Sequence, residues 1–246
     1  MNQFLRSLLP WMSPDQGAAG SAVDILCLAN SRKRSGRCVA GLRVDGGGWL
    51  RPVSGSDPTG ALTIKACRLD DGTQATLLDV IRLTVLRPLP EPHQPENWLV
   101  ATRRWNLVER CDIAAATPLL ESALTSGPDL FGSLGDRIPY RELRDRPSAA
   151  SLAVIEPQAV TWRISTSFRG NRQTRARITL SGALYDLSVT DPVFEKHLAA
   201  LPAGVHTREA AGITAHLRVL LTVSLSEPFG ATADCYKLVA AVIVLP

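Results

Sequence analysis

The chain carries one order of elements twice, and this repeat constrains its fold more than any single motif does. In the first half (residues 23–58), the apolar run VDILCL leads into the basic loop NSRKRSGR, the run RCVAGLRV, a glycine turn and WLRPVSGSDP. In the second half (residues 161–192), TWRISTSF leads into RGNRQTR, RARITL, a glycine turn and ALYDLSVTDP. A repeated order of elements is typical of repeated structural units. The sequence therefore predicts two similar units in tandem.

Short apolar runs rich in β-branched residues dominate both halves. Gly, Pro, Asn or Asp residues bound most of them, which predicts strands. These runs are residues 23–28, 37–44, 49–53, 77–86, 98–102, 152–155, 161–166, 175–180, 184–190, 215–225 and 236–245. Helices are predicted at residues 113–125 and from Asp191, an N-cap residue followed by Pro192 at the first helical position. Many short strands with few helices favour small β-barrels or a sandwich over an α/β fold.

Composition predicts where the units begin and end. Residues 1–20 are predicted to form a flexible N-terminal extension, and residues 21–125 the first β-domain. Residues 126–148 are rich in Gly, Pro and charge, which favours a connecting segment. Residues 149–246 then form the second β-domain.

Positive charge is concentrated at the corresponding place in each half. Although the whole chain has a net charge of only +4, residues 32–51 contain six basic residues and one acid, and residues 163–177 contain five arginines and no acid. The rest of the chain is therefore net acidic. Basic clusters of this kind attract anions, and phosphates above all.

Strand alternation indicates which side chains would share a basic surface. Arg175 and Arg177 are two residues apart and lie on one face of a strand, and Arg37 and Arg43 lie with Gly41 on one face of another. The loop arginines would hold phosphates. The repeat aligns two aromatic residues beside these strands, which are candidates for base stacking. The predicted nucleic-acid-binding residues are Arg32, Lys33, Arg34, Arg37, Arg43, Trp49, Arg51, Arg169, Arg172, Arg175, Arg177 and Tyr185.

Each of these assignments has a plainer alternative. The basic loops are equally consistent with solvated turns, and Trp49 and Tyr185 with residues that fill the barrel cores. The segment HQPENW (residues 93–98) either lines a pocket or closes a turn before a strand, and the turn is the prediction here.

Catalysis, metal binding and membrane insertion find little support in the sequence. The five cysteines are dispersed without CxxC spacing, and the four histidines form no ligand pair, so neither a metal site nor a cofactor is predicted. Glu227, Asp234 and Lys237 are a possible carboxylate–lysine group, but their spacing matches no known catalytic pattern. The longest apolar run is far shorter than the ~20 residues of a membrane-spanning helix. A cytoplasmic protein without a signal peptide is expected.

Several segments together resemble the dual OB-containing domain family. They are LANSRKRSGRCVAG, GGWLRPVS, QPEN, SLAVI, YDLSVTDP and SLSEPF followed by YKLVAAVI, and they span the chain from about Ser21 to its end. The resemblance implies a mainly β fold of two tandem OB-like β-barrels with a few short helices. It also implies nucleic-acid binding and, for some members, association with prokaryotic defence loci. It supplies no catalytic residues.

These observations together predict a non-enzymatic nucleic-acid-binding protein, with single-stranded DNA or RNA favoured. A partner protein from the same locus is possible. The first alternative is a sensor or adaptor that binds a phosphorylated small ligand, such as a nucleotide signal, in a defence system. The second is a structural module whose arginines pair with an acidic partner protein.

Overall fold

The computed structural model describes residues 20–34, 36–167 and 170–246. The strands are β1 (Ser21–Lys33), β2 (Gly36–Arg43), β3 (Trp49–Val53), β4 (Asp79–Pro88), β5 (Asn97–Val100), β6 (Asn106–Arg110), β7 (Arg137–Pro139), β8 (Leu152–Ile155), β9 (Ala159–Thr166), β10 (Arg172–Leu180), β11 (Ala183–Val189), β12 (Gly204–His206), β13 (Arg218–Phe229) and β14 (Asp234–Leu245). The helices are α1 (Ile113–Ser122), α2 (Tyr140–Asp145) and α3 (Pro192–His197).

The first five strands close into a barrel. β1 pairs with β2 through its second half and with β4 through its first half, and β3 runs parallel to β5, which pairs with β4. This strand order, 1-2-3-5-4-1, is that of the five-stranded OB barrel. β6 extends the sheet beyond β4.

The second half repeats this strand order with one break. β9, β10 and β11 are antiparallel neighbours, β11 runs parallel to β14, and β14 pairs with β13. The long first strand of the first barrel is replaced by two shorter ones: β8 pairs with β13, and β9 pairs with β10. Pro157 lies between β8 and β9, and a proline cannot donate a hydrogen bond to a strand ladder. The predicted fold of two tandem OB-like barrels is thus confirmed.

Each barrel has its own apolar interior. In the first barrel, Ile25, Val39 and Leu50 from the first three strands meet inside. In the second, Ala176, Ile178 and Leu180 of β10 face inward around Trp162. The alternation predicted for β10 is therefore confirmed, because these three residues are buried while Arg175 and Arg177 face outward.

β2 differs from its prediction because both of its faces are covered. Val39 points into the barrel, and Gly41 lies so close to β1 that a Cβ atom there would collide with the carbonyl oxygen of Leu26. Ala40 and Leu42 point the other way and pack against the second barrel. The open arginine face expected on β2 is therefore not found.

The two barrels share a continuous apolar junction. Leu26, Leu28 and Leu42 of the first barrel pack with residues of β13 and β14, including Leu220 and Ile243. Leu28 is the extra residue of a β-bulge between Cys27 and Ala29, so it has no partner in β2. Its carbonyl instead accepts a buried hydrogen bond of 2.7 Å from Oγ1 of Thr222 in the second barrel.

The two predicted helices are present. Asp112 caps α1, which ends at Ser122, three residues earlier than predicted. Asp191 caps α3: its Oδ1 accepts hydrogen bonds from the backbone of Val193 and Phe194, and Pro192 is the first helical residue.

The connecting region carries structure that the sequence did not predict. β7 lies within residues 126–148 and pairs with β14 of the second barrel, and α2 follows directly. The domain boundaries given above stay a prediction, and the predicted N-terminal extension lies almost entirely outside the described residues.

The close approach at Gly41 gives a test of the junction between β1 and β2. We expect Gly41→Ala to lower the free energy of unfolding by about 2 kcal/mol or more, since overpacking a buried backbone contact costs about 1–3 kcal/mol. Gly135→Ala is the matched control, because a Cβ there meets its nearest atom at an ordinary 3.5 Å. Urea unfolding measures both, and equal stabilities of the two variants would contradict the close approach.

Candidate ligand-binding site between the two barrels

A buried arginine joins the two barrels at the centre of their junction. Arg51 of β3 has no exposed surface. Its Nη1 lies 3.3 Å from Oδ1 of Asn97, and its Nη2 donates to Oγ of Ser224 at 3.1 Å and to the carbonyl of Ser151 at 3.5 Å. Two of the three acceptors belong to the second barrel. Because a buried charge is costly unless it is hydrogen-bonded, these contacts tie the position of one barrel to the other.

The residues between Pro92 and β5 bind the second barrel as well. Both oxygens of the Glu96 carboxylate accept hydrogen bonds of 2.6 Å from Ser151, one from its backbone N–H and one from its hydroxyl. Gln94 donates to the carbonyl of Leu225 at 2.9 Å. The segment HQPENW does form a turn before a strand, as predicted, and in addition it forms part of the junction.

His93 lies in the same junction, with its ring edge-on to Tyr140. Burial, together with the nearby charges of Arg51 and Lys33, lowers the pKa of His93 from 6.5 to about 4. The ring is therefore neutral at pH 7, and protonating it would place another cation beside two existing ones.

The basic loop, formed by the last residues of β1 and the turn that follows, reaches across to the second barrel. Arg32 forms a double ion pair with Glu195, at 2.7 and 3.0 Å, and its backbone N–H donates to the carbonyl of Thr190 at 2.8 Å. Lys33 Nζ lies 3.3 Å from Glu227, and Arg34 Nε lies 3.6 Å from the same carboxylate. The side chains of Arg32 and Arg34 remain about half exposed, whereas Lys33 is buried.

This loop lines a cavity of about 360 Å³ between the barrels, which we call the inter-barrel pocket. Its walls combine the basic loop of one barrel with two strands, a β-hairpin and one residue of the connecting segment. The lining residues are Arg32, Lys33, Arg34, Asp136, Arg175, Ser188, Ser226, Glu227, Phe229, Tyr236, Lys237 and Leu238. Five of these twelve side chains are basic and two are acidic, so the pocket attracts anions.

Lys237 forms the floor of this pocket. Its Nζ donates to the carbonyls of Ser133 and Gly135, both at 2.6 Å, and lies 5.2 Å from the ring centre of Tyr185. Burial lowers the pKa of Lys237 from 10.5 to about 8, while Asp129 and Asp136 act in the opposite direction. The ammonium group is thus mostly charged at pH 7, and it also holds the connecting segment against β14.

Three arginines surround one carboxylate on the outer face of β9, β10 and β11, which we call the arginine face. Arg163, Arg175 and Arg177 approach Asp186 at 3.2, 2.6 and 3.5 Å. Burial acts to raise the pKa of Asp186, but the hydrogen bonds and charges of Arg175 and Arg163 outweigh it and lower that pKa. Asp186 neutralises one of the three arginines, so the face keeps a net positive charge.

Three of the remaining predicted arginines lie outside the inter-barrel pocket and the arginine face, and one lies outside the described residues. Arg43 pairs with Asp45, its neighbour in the following turn, at 2.6 Å. Arg172 donates to the carbonyls of Leu198 and Leu201. Arg37 stands at the start of β2, where its backbone bonds to Leu62. Arg169 belongs to the residues that the structure leaves undescribed.

Neither of the two predicted stacking aromatics is freely exposed. Tyr185 is buried in the interior of the second barrel, and its hydroxyl donates to the carbonyl of Pro128 at 2.6 Å. Trp49 is half-buried and packs against the apolar junction. Arg51 is also fully buried, so neither Arg51 nor Tyr185 is open to a ligand.

Three residues that the sequence did not single out complete the site. Arg163 lies on the arginine face; its signal was the alternation of Thr161, Arg163 and Ser165 along β9. The aromatic side chains in the pocket are Phe229, which is 63% exposed, and Tyr236. Tyr236 is the first residue of YKLVAAVI, one of the segments that resemble the family, and a single exposed phenylalanine beside a turn gives no sequence signal.

The possible carboxylate–lysine group does not assemble as one unit. Glu227 pairs with Lys33, Asp234 with Arg137, and Lys237 binds backbone carbonyls. Among the residues that the structure describes, no cluster of His, Cys, Asp and Glu side chains has the arrangement of a metal site. No helix in that part of the chain is long and apolar enough to cross a membrane.

The fold and the pocket define the class: a protein of two tandem OB-type barrels with a cationic pocket at their junction. A family model for the Dual OB-containing domain matches residues 23–242. The chain belongs to this family.

Comparisons with individual proteins add little to this assignment. No curated protein matches the chain. Among solved structures, one described as "Structural mimicry for functional antagonism" is 6% identical with a TM-score of 0.30, and each chain is covered to 93%. The crystal structure of the tetrameric p202 HIN2 is 6% identical with a TM-score of 0.26, covering 92% of this chain and 95% of the other. Likeness at this level carries no argument about function.

Removing the arginine at the junction should destabilise the protein. We expect Arg51→Ala to lower the free energy of unfolding by roughly 2–4 kcal/mol, because it leaves a cavity and unpaired acceptors in both barrels. Arg87→Ala, at an exposed arginine of β4, should change it by less than about 0.5 kcal/mol. Chemical denaturation compares the two, and a mild effect of Arg51→Ala would show that the junction does not depend on this residue.

The environment of His93 predicts a pH dependence. Because the folded pKa lies below the unfolded one, the unfolded chain binds the proton first, and stability is lost as the pH falls from about 6.5 towards 4. His93→Gln has no such proton and should lose less stability between pH 7 and pH 5 than the wild type. Urea unfolding at both pH values tests this, and equal losses would contradict the assigned environment.

Proposed function

We propose that this protein binds single-stranded nucleic acid along the arginine face of its second barrel and in the inter-barrel pocket. The observation that supports this most is the position of Arg175, which belongs to both surfaces. It lies opposite Arg163 in the β9–β10 ladder, and it also lines the pocket formed with the loop of the first barrel. The two basic clusters of the sequence thus meet on one surface.

The electrostatics of this surface suit a phosphodiester chain. Seven cationic side chains, Arg32, Lys33, Arg34, Arg163, Arg175, Arg177 and Lys237, face the carboxylates of Asp136, Asp186, Glu195 and Glu227, for a net charge of +3. An arginine has five N–H donors, so one that is paired with a carboxylate keeps donors for a phosphate. The carboxylates hold the guanidinium groups in place before a ligand arrives.

The two barrels contribute different parts of the proposed nucleic-acid-binding surface. OB barrels bind oligonucleotides across strands 2 and 3 and the loops between strands 1 and 2 and between strands 4 and 5. In the first barrel the outer face of strand 2 is covered by the junction, so its contribution is its 1–2 loop. In the second barrel the corresponding face is open, and its 4–5 hairpin places Phe229 at the pocket.

The exposed aromatic ring of Phe229 is suited to stack a base. The ring of Tyr236, which Arg137 approaches at 5.8 Å from its centre, can add a second contact on its other face. Such stacking contributes about 1–3 kcal/mol per base and tolerates any sequence. It requires unpaired bases, which is why a single strand is proposed rather than a duplex.

The binding is proposed to be non-enzymatic and to take place in the cytoplasm. Among the described residues, no side chain that lines the pocket forms a nucleophile–base pair with a third orienting group. All five cysteines are free thiols, as is usual in a reducing compartment.

A second candidate function is the recognition of a phosphorylated small ligand. The observation in its favour is the pocket itself, whose volume of about 360 Å³ lies within the range of small-ligand sites. Two results together would favour this candidate: a mononucleotide raises the melting temperature of the protein, and no oligonucleotide binds to it.

A salt series tests the main proposal. If three or four phosphates are bound, the logarithm of the affinity for a labelled single strand should fall with the logarithm of the salt concentration with a slope of roughly −2 to −3. Arg34→Ala and Arg177→Ala, one from each part of the surface, should each reduce the slope by about 0.7. Fluorescence anisotropy gives both quantities.

Arg104→Ala is the control, since Arg104 is an exposed arginine that lines neither the pocket nor the arginine face. It should leave the slope unchanged. The absence of binding to DNA and RNA at low salt would rule out the proposal, and unchanged slopes in both site variants would place binding on another surface.

A further inference from the structure

We propose that the inter-barrel pocket holds a single nucleotide and prefers guanine, which it recognises through the carboxylate of Glu227. This inference rests on the proposed function and adds the identity of the base to it. It explains why a pocket that attracts phosphate contains a carboxylate next to its loop of cations.

The carboxylate of Glu227 has unused hydrogen-bonding capacity. Among the described residues, Oε2 is approached by Lys33 Nζ at 3.3 Å and Oε1 by Arg34 Nε at 3.6 Å. A carboxylate offers about four lone-pair sites, so roughly one remains on each oxygen. The side chain is 20% exposed and lines the pocket, so a ligand can reach both oxygens.

This carboxylate cannot bind the phosphate, because two anions at hydrogen-bonding distance repel each other. It can accept from a group that carries N–H donors, and in a nucleotide such groups lie on the base or the sugar. Two parallel N–H donors match two carboxylate oxygens best, as in the pairing of arginine with carboxylate.

Guanine is the standard base with two such donors side by side. Its N1–H and N2–H₂ groups are adjacent on the Watson–Crick edge. Adenine and cytosine place an acceptor nitrogen beside their amino group, and thymine and uracil flank one N–H with two carbonyls; in each case an acceptor would face a carboxylate oxygen. Proteins that take up an unstacked base read this edge by hydrogen bonds and stack its face on aromatic side chains.

The remaining walls of the pocket fit the rest of the nucleotide. Phe229 and Tyr236 are the aromatic side chains that line the pocket with Glu227. The exposed Arg34 supplies N–H donors for the phosphate, and the buried Lys237 adds positive charge without contacting it. A volume of about 360 Å³ is near the lower end of the range for ligand pockets, so we assign it one nucleotide rather than several.

The test uses the full chain and four labelled oligothymidylates that are identical except for one central position, which is T, A, C or G. We expect the strand with one guanine to bind about tenfold more tightly than the all-thymine strand, as for one bidentate base contact. Glu227→Gln should reduce this ratio to about one without weakening binding of the all-thymine strand, since an amide presents one donor and one acceptor.

Two further variants keep the result interpretable. Glu227→Asp retains the carboxylate and should keep part of the guanine preference, whereas a general loosening of the junction would affect all four strands equally in both variants. Glu109→Gln is the control at an exposed glutamate of β6 and should behave as the wild type.

The outcomes separate the two proposals. Equal binding of the four strands by the wild type would overturn the guanine preference and leave the proposed function standing. A guanine preference that survives in Glu227→Gln would overturn recognition through Glu227 and likewise leave the proposed function standing. No binding of any strand, together with no effect of GMP on the melting temperature, would overturn both. Stabilisation by GMP alone would support the pocket assignment and identify a free nucleotide, not a strand, as its ligand.

Discussion

The fully buried guanidinium of Arg51 is the contact on which the rest of the structure depends. It lies between two barrels, without a carboxylate partner among the described residues, and donates to Asn97 on one side and to Ser151 and Ser224 on the other. A charge in this position is tolerated only while acceptors from both barrels stay in place. The relative placement of the barrels is therefore specified by hydrogen-bond geometry as well as by apolar packing, which alone is non-directional.

That placement determines which surfaces remain for a ligand. Packing the outer face of β2 against β13 and β14 removes the usual OB binding surface of the first barrel, and it brings the 1–2 loop of this barrel to the second. The ion pairs of Lys33 and Arg34 with Glu227 form only because the barrels meet there. One barrel thus supplies an open strand face, the other supplies a loop, and the pocket exists only in the assembled pair.

The fold was largely predictable from the sequence, because the information is local. Each predicted strand overlaps a strand of the structure, and the alternation of arginines with Ala176 and Ile178 gave the correct inner face of β10. β6, β7 and β12 were missed because their sequences, NLVER, RIP and GVH, contain fewer apolar residues than those of the similarly short β3, β5 and β8. The short helix α2 follows directly after β7 and lacks a side-chain cap.

The site was less predictable. The alternation of side chains along a strand distinguishes its two faces, but it does not show which face is covered by the other barrel. Arg51, two residues after Trp49, has the pattern of a stacking arginine, and the same pattern suits a buried junction residue. The repeat aligns Tyr185 with Trp49 but does not show that the tyrosine side chain points into the barrel. By contrast, clustered charge rarely lies inside a core, and the structure brings the loop cations and Arg175 together in one pocket lining. Their role as ligand contacts stays a prediction.

The central claim is that a single strand lies across the second barrel and enters the pocket between the barrels. Ultraviolet cross-linking of a bound oligonucleotide, followed by mass spectrometry of the peptides, tests this claim most directly. The account predicts cross-links at Phe229 and Tyr236 and within β9–β11. Cross-links confined to the outer strands of the first barrel, β4 to β6, would contradict it.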